Sequence, residues 1–303
     1  MTFEPFLNHL ASYKKCSPQT VHAYRSDLKQ FAGFASKHGI IGLDQLNHVS
    51  VRLYIDDMRS KPNPRFIATG LSDASIARRL AALSSYCEFI RATVDHTLRN
   101  PLKELSNRWK RNKDAKPVDE ETLDALLAGI TNERDRFIFS LFLSTGLRVS
   151  ELQKLNRDSI SIQETTEPDG SIRTLGVGEV VGKGNKRRQF LVDDGTLMLY
   201  ATYLCRREDK FEALFLSERK TRMSVRAIQY TLSSWCRKLD LIHINVHRLR
   251  HSFATRLANS NINSMVLRDL MGHSSLSTTQ RYFKLTDTTL ARSYFSAMEF
   301  LKN

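Results

Sequence analysis

The chain has 303 residues, of which 46 are lysine or arginine and 32 are aspartate or glutamate, so its formal net charge is +14 at pH 7. Its length favours two domains, and its 41% of apolar residues is ordinary for a globular protein. No apolar run has the length of a membrane span, and the N-terminus lacks the basic, apolar and small segments of a signal peptide. We therefore expect a cytoplasmic protein without membrane contact, and the basic excess makes a polyanion the first candidate partner.

The N-terminal part of the chain predicts an all-helical domain over residues 1–106. The helix in SPQTVHAYRSDLKQFAGFASKHG has a clear start and end, with Ser17 as the N-cap, Pro18 at the first helical position and Gly39 as the stop. A long helix follows in LSDASIARRLAALSSYCEFIRATV, capped by Ser72 or Asp73. Apolar residues recur at helical spacing in both segments, which indicates that each helix buries one face.

Residues 107–118, NRWKRNKDAKPV, are polar and basic, which is typical of a linker between domains. A solvated run of charge and a segment lying along DNA explain this stretch equally well. Residues 119–303 predict a second domain of helices, interrupted over 159–193 by β-branched and apolar segments that PDG and GKGN separate. We predict a mainly α protein with a small antiparallel β-sheet.

Four cysteines are scattered along the chain without a CxxC pair: Cys16, Cys87, Cys205 and Cys236. This pattern favours free, buried thiols in a reducing compartment over disulfides or a zinc site.

Two stretches of the second domain carry candidate anion-binding side chains. In STGLRVSELQKL, Arg148 comes before an apolar helix, and Glu151 three residues later can hold its guanidinium; an ordinary surface ion pair is the alternative. In VVGKGNKRRQFLV, Lys183 or Lys186 at a hairpin tip can donate a proton, although such a lysine is commonly just solvated. Lys183, between two glycines, is the preferred candidate.

The stretch HRLRHSFATRL places His247, Arg250 and His251 together on one helix face. Two histidines at this spacing match a metal-binding pair, but the glutamate expected between them is absent and the arginines repel a cation. We therefore predict no metal ion. Instead, Arg148 and Arg250 can both bind the oxygens of one phosphate.

The stretch LMGHSSLSTTQRYF contributes His273 after a helix-ending glycine and Tyr282 nine residues later. An aromatic residue near a chain end is commonly part of a core. The phenol is also a possible nucleophile where a base and a cationic pocket stabilise its oxyanion.

These stretches, in this order, resemble the tyrosine recombinase family, also called the phage-integrase or Xer-type recombinases. The resemblance covers almost the whole chain. It implies an N-terminal helical core-binding domain of the SAM-like type, followed by an α+β catalytic domain with a C-terminal exchange helix. It also implies cleavage and rejoining of DNA strands through a 3′-phosphotyrosyl intermediate and a Holliday junction.

The resemblance assigns roles to individual side chains. Tyr282 is implied as the nucleophile, Arg148 and Arg250 as the phosphate ligands, and Lys183 as the general acid. It further implies His247 as the acid–base partner of the tyrosine and His273 as a hydrogen-bond donor to the phosphate. Glu151 is expected to orient Arg148, whereas Arg248 and His251 match no catalytic position and are expected to touch the backbone or pack.

The implied partner is a double-stranded DNA recombination site with inverted half-sites, bound by a homo-tetramer or by a tetramer shared with a paralogous recombinase. No cofactor is implied, because the phosphotyrosyl bond keeps the energy of the broken phosphodiester. Two alternatives remain: a type IB topoisomerase and a non-catalytic DNA-binding protein of the same fold.

Overall fold

The structure is a computed structural model that describes residues 2–60, 70–103, 117–166, 170–182, 187–260, 262–273, 275–280 and 282–283. The chain divides into two compact units, Met1–Lys113 and Asp114–Asn303. Their boundary falls within the predicted linker 107–118, but most of that linker lies outside the described residues. The limits 1–106 and 119–303 therefore stay predictions.

The first unit is helical in all its described regular structure. Its elements are α1 (Glu4–Ser12), α2 (Pro18–Lys37), a 3-10 turn (Leu43–Gln45), α3 (His48–Ser60) and α4 (Asp73–Thr93). The predicted caps are confirmed, because the Ser17 side chain accepts from the backbone N–H of Thr20 and that of Ser72 from Ser75. An aromatic core that includes Phe6, Phe31, Phe34, Tyr54 and Tyr86 holds these helices together.

The second unit packs helices around one small sheet. Its helices are α5 (Glu120–Gly129), α6 (Glu133–Thr145), α7 (Val149–Leu152), α8 (Asp194–Cys205), α9 (Val225–Lys238), α10 (Val246–Asn259), α11 (Ser264–Met271) and α12 (Leu276–Gln280). Helix α6 is central, since Phe137, Phe139 and Phe142 are all fully buried. The predicted mainly α architecture with one small antiparallel sheet is confirmed.

The sheet consists of β1 (Ser161–Thr166), β2 (Ile172–Val181) and β3 (Arg187–Val192), antiparallel in that order. Alternation on β3 turns Phe190 and Val192 into the core, and Arg188 lies on the same face of the strand. The two turns predicted at PDG and GKGN each lie partly outside the described residues.

Two glycines in the left-handed region end the helices that lead into the candidate site. Gly146 (φ +58°) ends α6 two residues before Arg148, and Gly272 (φ +59°) ends α11 directly before His273. A Cβ atom at either position would lie within 2.5 Å of a side-chain carbon, of Phe253 at the first and of Arg188 at the second. Both conformation and space therefore require glycine here.

One expectation about the cysteines is corrected. All four are free thiols, and Cys87 and Cys236 are buried, but Cys205 is exposed and Cys16 half-buried. Cys205 is the last residue of α8, where the chain leaves the core. No described helix combines the length and apolar character needed to cross a membrane.

Candidate active site

Arg148 and Glu151 form the predicted pair, and it is more than a surface contact. Arg148 Nη1 donates to Glu151 Oε1 at 2.7 Å, and the backbone N–H of Arg148 donates to Oε2 at 2.8 Å. The Glu151 side chain is only 3% exposed, whereas that of Arg148 is 33% exposed. A buried carboxylate therefore holds both the backbone and one η nitrogen of an arginine whose side chain still reaches solvent.

Glu151 also binds Arg188, which the sequence did not single out. Arg188 Nη2 donates to Glu151 Oε2 at 2.7 Å, and the Arg188 side chain is 7% exposed. Burial alone would raise the pKa of Glu151, but the charge of Arg188 and the hydrogen bonds from Arg148 outweigh it, so this pKa lies below its ordinary value. Glu151 thus stays ionised between two arginines.

Arg250, on α10, is the most buried cation of the site, with 3% of its surface exposed. One η nitrogen donates to the carbonyl of Gly146 and the other to that of Met271. Burial, together with repulsion from Arg148 and Arg188, lowers the pKa of Arg250 to about 9. Such a crowded set of like charges favours a bound anion.

The carboxyl end of α11 is the common anchor of these arginines. Three successive carbonyls accept from one arginine each: Leu270 from Arg188, Met271 from Arg250, and Gly272 from Arg148. Unpaired carbonyls at a helix C-terminus carry partial negative charge and are suited to cations. The fold thereby gathers side chains from α7, α10 and β3 at one point, directly before His273.

Tyr282 lies beside this cluster. Its hydroxyl oxygen is 3.0 Å from Nδ1 of His251, and its half-buried ring packs against the apolar cluster of α10 and α11. It also lies close enough to Arg250 to act on the pKa of that guanidinium, in the raising direction. The sequence predicted Tyr282 as a candidate nucleophile, but it did not single out His251 as the hydrogen-bond partner of its hydroxyl.

His273 contacts the ring of Tyr282, whereas His247 contacts the ring of His251. The His273 ring stacks on that of Tyr282 at 6.4 Å between centroids, and its Nδ1 lies 2.9 Å from Thr279 Oγ1. His247 is exposed, and its ring centroid is 4.9 Å from that of His251. As expected, Arg248 touches backbone, donating to the carbonyls of His243 and Pro117.

Lys183 and Lys186 lie outside the described residues, so the choice between them stays a prediction. A signal for Arg188 exists in the sequence, because it shares the two-residue period of Phe190 and Val192 and so lies on the buried face of β3. His251 likewise falls one helical turn after His247. Within the described residues, no group of three or more metal-ligating side chains lies together.

A tyrosine hydroxyl beside a cluster of arginines is an arrangement suited to chemistry on a phosphodiester. Residues 116–289 match the Phage integrase family, and residues 3–93 match the Phage integrase N-terminal SAM-like domain. The chain therefore belongs to the phage integrase family and is a tyrosine-type site-specific DNA recombinase.

Individual relatives agree with this placement. Tyrosine recombinase XerC of Psychromonas ingrahamii is 31% identical over 97% of this chain and 95% of its own, and that of Haemophilus influenzae strain PittEE is 32% identical over 96% and 95%. Among solved structures, the Tn1549 transposon integrase in complex with transposon right end DNA has a TM-score of 0.73 at 16% identity, covering 99% of this chain and 100% of that one. XerH bound to its difH substrate has a TM-score of 0.68 at 20% identity, covering 90% and 78%.

Proposed function

We propose that this chain cuts and rejoins DNA at paired recombination sites through a 3′-phosphotyrosyl intermediate and a Holliday junction. The observation that carries the proposal is the row of arginines on the carboxyl end of α11, next to the hydroxyl of Tyr282. Guanidinium groups have five N–H donors, and Arg148 and Arg250 each use two η nitrogens on the protein itself. Donors remain for the nonbridging oxygens of a phosphodiester.

In the proposed cleavage step, the Tyr282 oxygen forms a bond to the scissile phosphorus, and the bond from phosphorus to the 5′ oxygen breaks. The phenol proton goes to His247, and the leaving 5′ oxygen takes a proton from Lys183. Arg148 and Arg250 stabilise the additional negative charge of the pentavalent transition state, and His273 donates a further hydrogen bond. Attack by the 5′ hydroxyl of another strand reverses the step and exchanges strands.

The proposed partner is double-stranded DNA with inverted half-sites, held by four subunits. The Tn1549 integrase structure contains transposon right end DNA and the XerH structure contains its difH substrate, which supports a DNA partner for this chain. The four subunits are either copies of this chain or two pairs formed with a paralogous recombinase.

The test is covalent capture of the protein on DNA. Footprinting inverted repeats adjacent to the gene identifies the site, and a nicked duplex carrying that site then traps the cleaved state. We expect an SDS-resistant adduct in the presence of EDTA, and its loss in Tyr282→Phe. An adduct that survives this substitution, or that needs Mg²⁺, would contradict the mechanism.

A further inference from the structure

Arg188 is a buried cation that the proposed cleavage step does not use. It enters the site from β3, whereas the arginines assigned to the phosphate belong to the start of α7 and to α10. Its two η nitrogens bind Glu151 Oε2 at 2.7 Å and the carbonyl of Leu270. It therefore joins the carboxylate behind Arg148 to the helix that precedes His273.

The geometry leaves Arg188 little freedom. The Cα of Gly272 approaches so closely that a Cβ atom there would lie 2.5 Å from Arg188 Cδ and 2.9 Å from Nε. The side chain is thus enclosed between β3, Glu151 and the end of α11. Burying a charge in so confined a place destabilises the folded state unless ion pairs and hydrogen bonds offset the loss of hydration.

The charge balance of the cluster shows what Arg188 contributes. Three guanidinium groups (Arg148, Arg188 and Arg250) and one carboxylate (Glu151) sum to 3 − 1 = +2. Without Arg188 the sum would be +1, and Glu151 would neutralise Arg148 alone. A phosphodiester carries one negative charge, and its pentavalent transition state carries two, so the second positive charge matters most during the reaction.

We propose that Arg188 is a positioning residue for cleavage, which shares the charge of Glu151 and ties it to α11 so that Arg148 keeps its place and its positive charge at the scissile phosphate. This inference rests on the proposed role of Arg148. It assigns Arg188 no contact with DNA, since its side chain lies behind that of Glu151 and is 7% exposed.

The experiment compares single-turnover cleavage of two nicked duplexes, one with a normal scissile phosphate and one with a methylphosphonate there. The methyl group removes one negative charge, so the transition state needs less positive charge around it. The variants are Arg188→Met, which removes the charge at similar length, and Arg188→Lys, which cannot bind Glu151 and Leu270 as a fork. Arg187→Met is the matched control, because this neighbouring side chain is 76% exposed and pairs with Glu179 on the sheet.

We expect Arg188→Met to bind the normal duplex like the unaltered protein but to cleave it at least about tenfold more slowly, the factor equivalent to about 1.4 kcal/mol. On the methylphosphonate duplex this defect should shrink severalfold. Arg188→Lys should show a smaller defect on the normal duplex and the same relief on the methylphosphonate duplex. If Arg188→Met does not fold, the comparison is made with Arg188→Lys. Arg187→Met should cleave both duplexes normally.

Arg148→Met separates this inference from the proposed function. If Arg148→Met cleaves normally, or its defect is equal on both duplexes, the proposed phosphate site is wrong. If Arg148→Met is rescued by the methylphosphonate but the Arg188 variants are equally slow on both duplexes or fully active, Arg188 has only a structural role and the inference is overturned.

Discussion

The hydroxyl of Tyr282 is hydrogen-bonded to Nδ1 of His251 at 3.0 Å, while His247, one helical turn earlier on α10, is exposed. Of the two histidines, the family motif implies the exposed one as the acid–base partner of the tyrosine. His251 is only 5% exposed, so its contact with the phenol is enclosed within the protein. The rings of His247 and His251 lie nearly perpendicular to each other, with their centroids 4.9 Å apart.

Separate substitutions of these histidines distinguish a proton-transfer role from a positioning role. We expect His247→Gln to slow covalent cleavage by at least about 100-fold, as general acid–base catalysis contributes about 10²–10⁴. His251→Phe should slow it by no more than about tenfold, because one hydrogen bond contributes about 1 kcal/mol. Single-turnover adduct formation measures both. A larger defect for His251→Phe than for His247→Gln would make His251 the proton acceptor.

The ion pairs that the buried Glu151 forms with Arg148 and Arg188 predict that the stability of the protein depends strongly on pH. Glu151→Gln should destabilise the protein at pH 7 by several kcal/mol, since removing one partner of a buried ion pair costs about 3–5 kcal/mol. The pKa of Glu151 is lowered in the folded state, so its stabilising contribution is present above the ordinary glutamate pKa of about 4.3. It is lost as the pH falls below that value towards the folded pKa.

Thermal unfolding of the unaltered protein and of Glu151→Gln between pH 7 and pH 3 measures this pH dependence of stability. The difference in Tm should be largest at pH 7 and should shrink below about pH 4.3, where the glutamate of the unfolded chain takes up a proton before that of the folded chain does. Glu179→Gln is the control, because its pair with Arg187 is exposed and such pairs contribute about 0–1 kcal/mol. Equal, pH-independent effects of the two substitutions would contradict the prediction.

Lys183 is predicted to act on the leaving group. Lys183→Ala should bind DNA nearly normally but cleave it slowly, because the 5′ oxygen leaves without a proton. A duplex with sulfur at the 5′ bridging position needs no proton donor, so it should restore cleavage. If Lys186→Ala shows this pattern and Lys183→Ala does not, Lys186 is the general acid.

DNA binding is predicted to depend strongly on salt, because both parts of the chain are basic. Residues 1–116 have 19 basic and 10 acidic side chains (+9), and the remaining residues have 27 and 22 (+5). A protein that contacts DNA with both parts should lose affinity with log[salt] at a slope of about −0.9 per neutralised phosphate. Fragments 1–112 and 113–303 should each bind weakly. If one fragment reproduces the affinity and the salt slope of the full chain, the prediction that both parts contact DNA is wrong.

The tail after Tyr282 is predicted to mediate assembly. Its residues from 284 onward lie outside the described part, but TDTTLARSYFSAMEFLKN has an apolar stripe typical of an amphipathic helix. In the resembled family this helix docks on a neighbouring subunit. A chain truncated after Thr286 should fold and bind one half-site, yet lose cooperative occupation of two. Unchanged cooperativity in a gel-shift titration would show that the tail packs on its own domain.

Local signals in the sequence predicted the fold well, because helix caps depend on a few neighbouring residues. Ser17 and Ser72 cap their helices as expected, and the sheet segment was recognised from its β-branched residues. The ion pair of Arg148 and Glu151 was also accessible, since both residues lie within one helical turn. Arg188 was missed because its partner is 37 residues away, and only folding places the two together.

Anchoring the arginines on the backbone of α11 also has an entropic consequence. Long cationic side chains normally lose rotamer freedom when they bind a ligand, at a cost of about 0.5–1.5 kcal/mol each. Here the carbonyls of Leu270, Met271 and Gly272 hold the guanidinium groups before any DNA arrives. The ordering belongs to folding rather than to binding, so a phosphate meets a receptor that is already rigid.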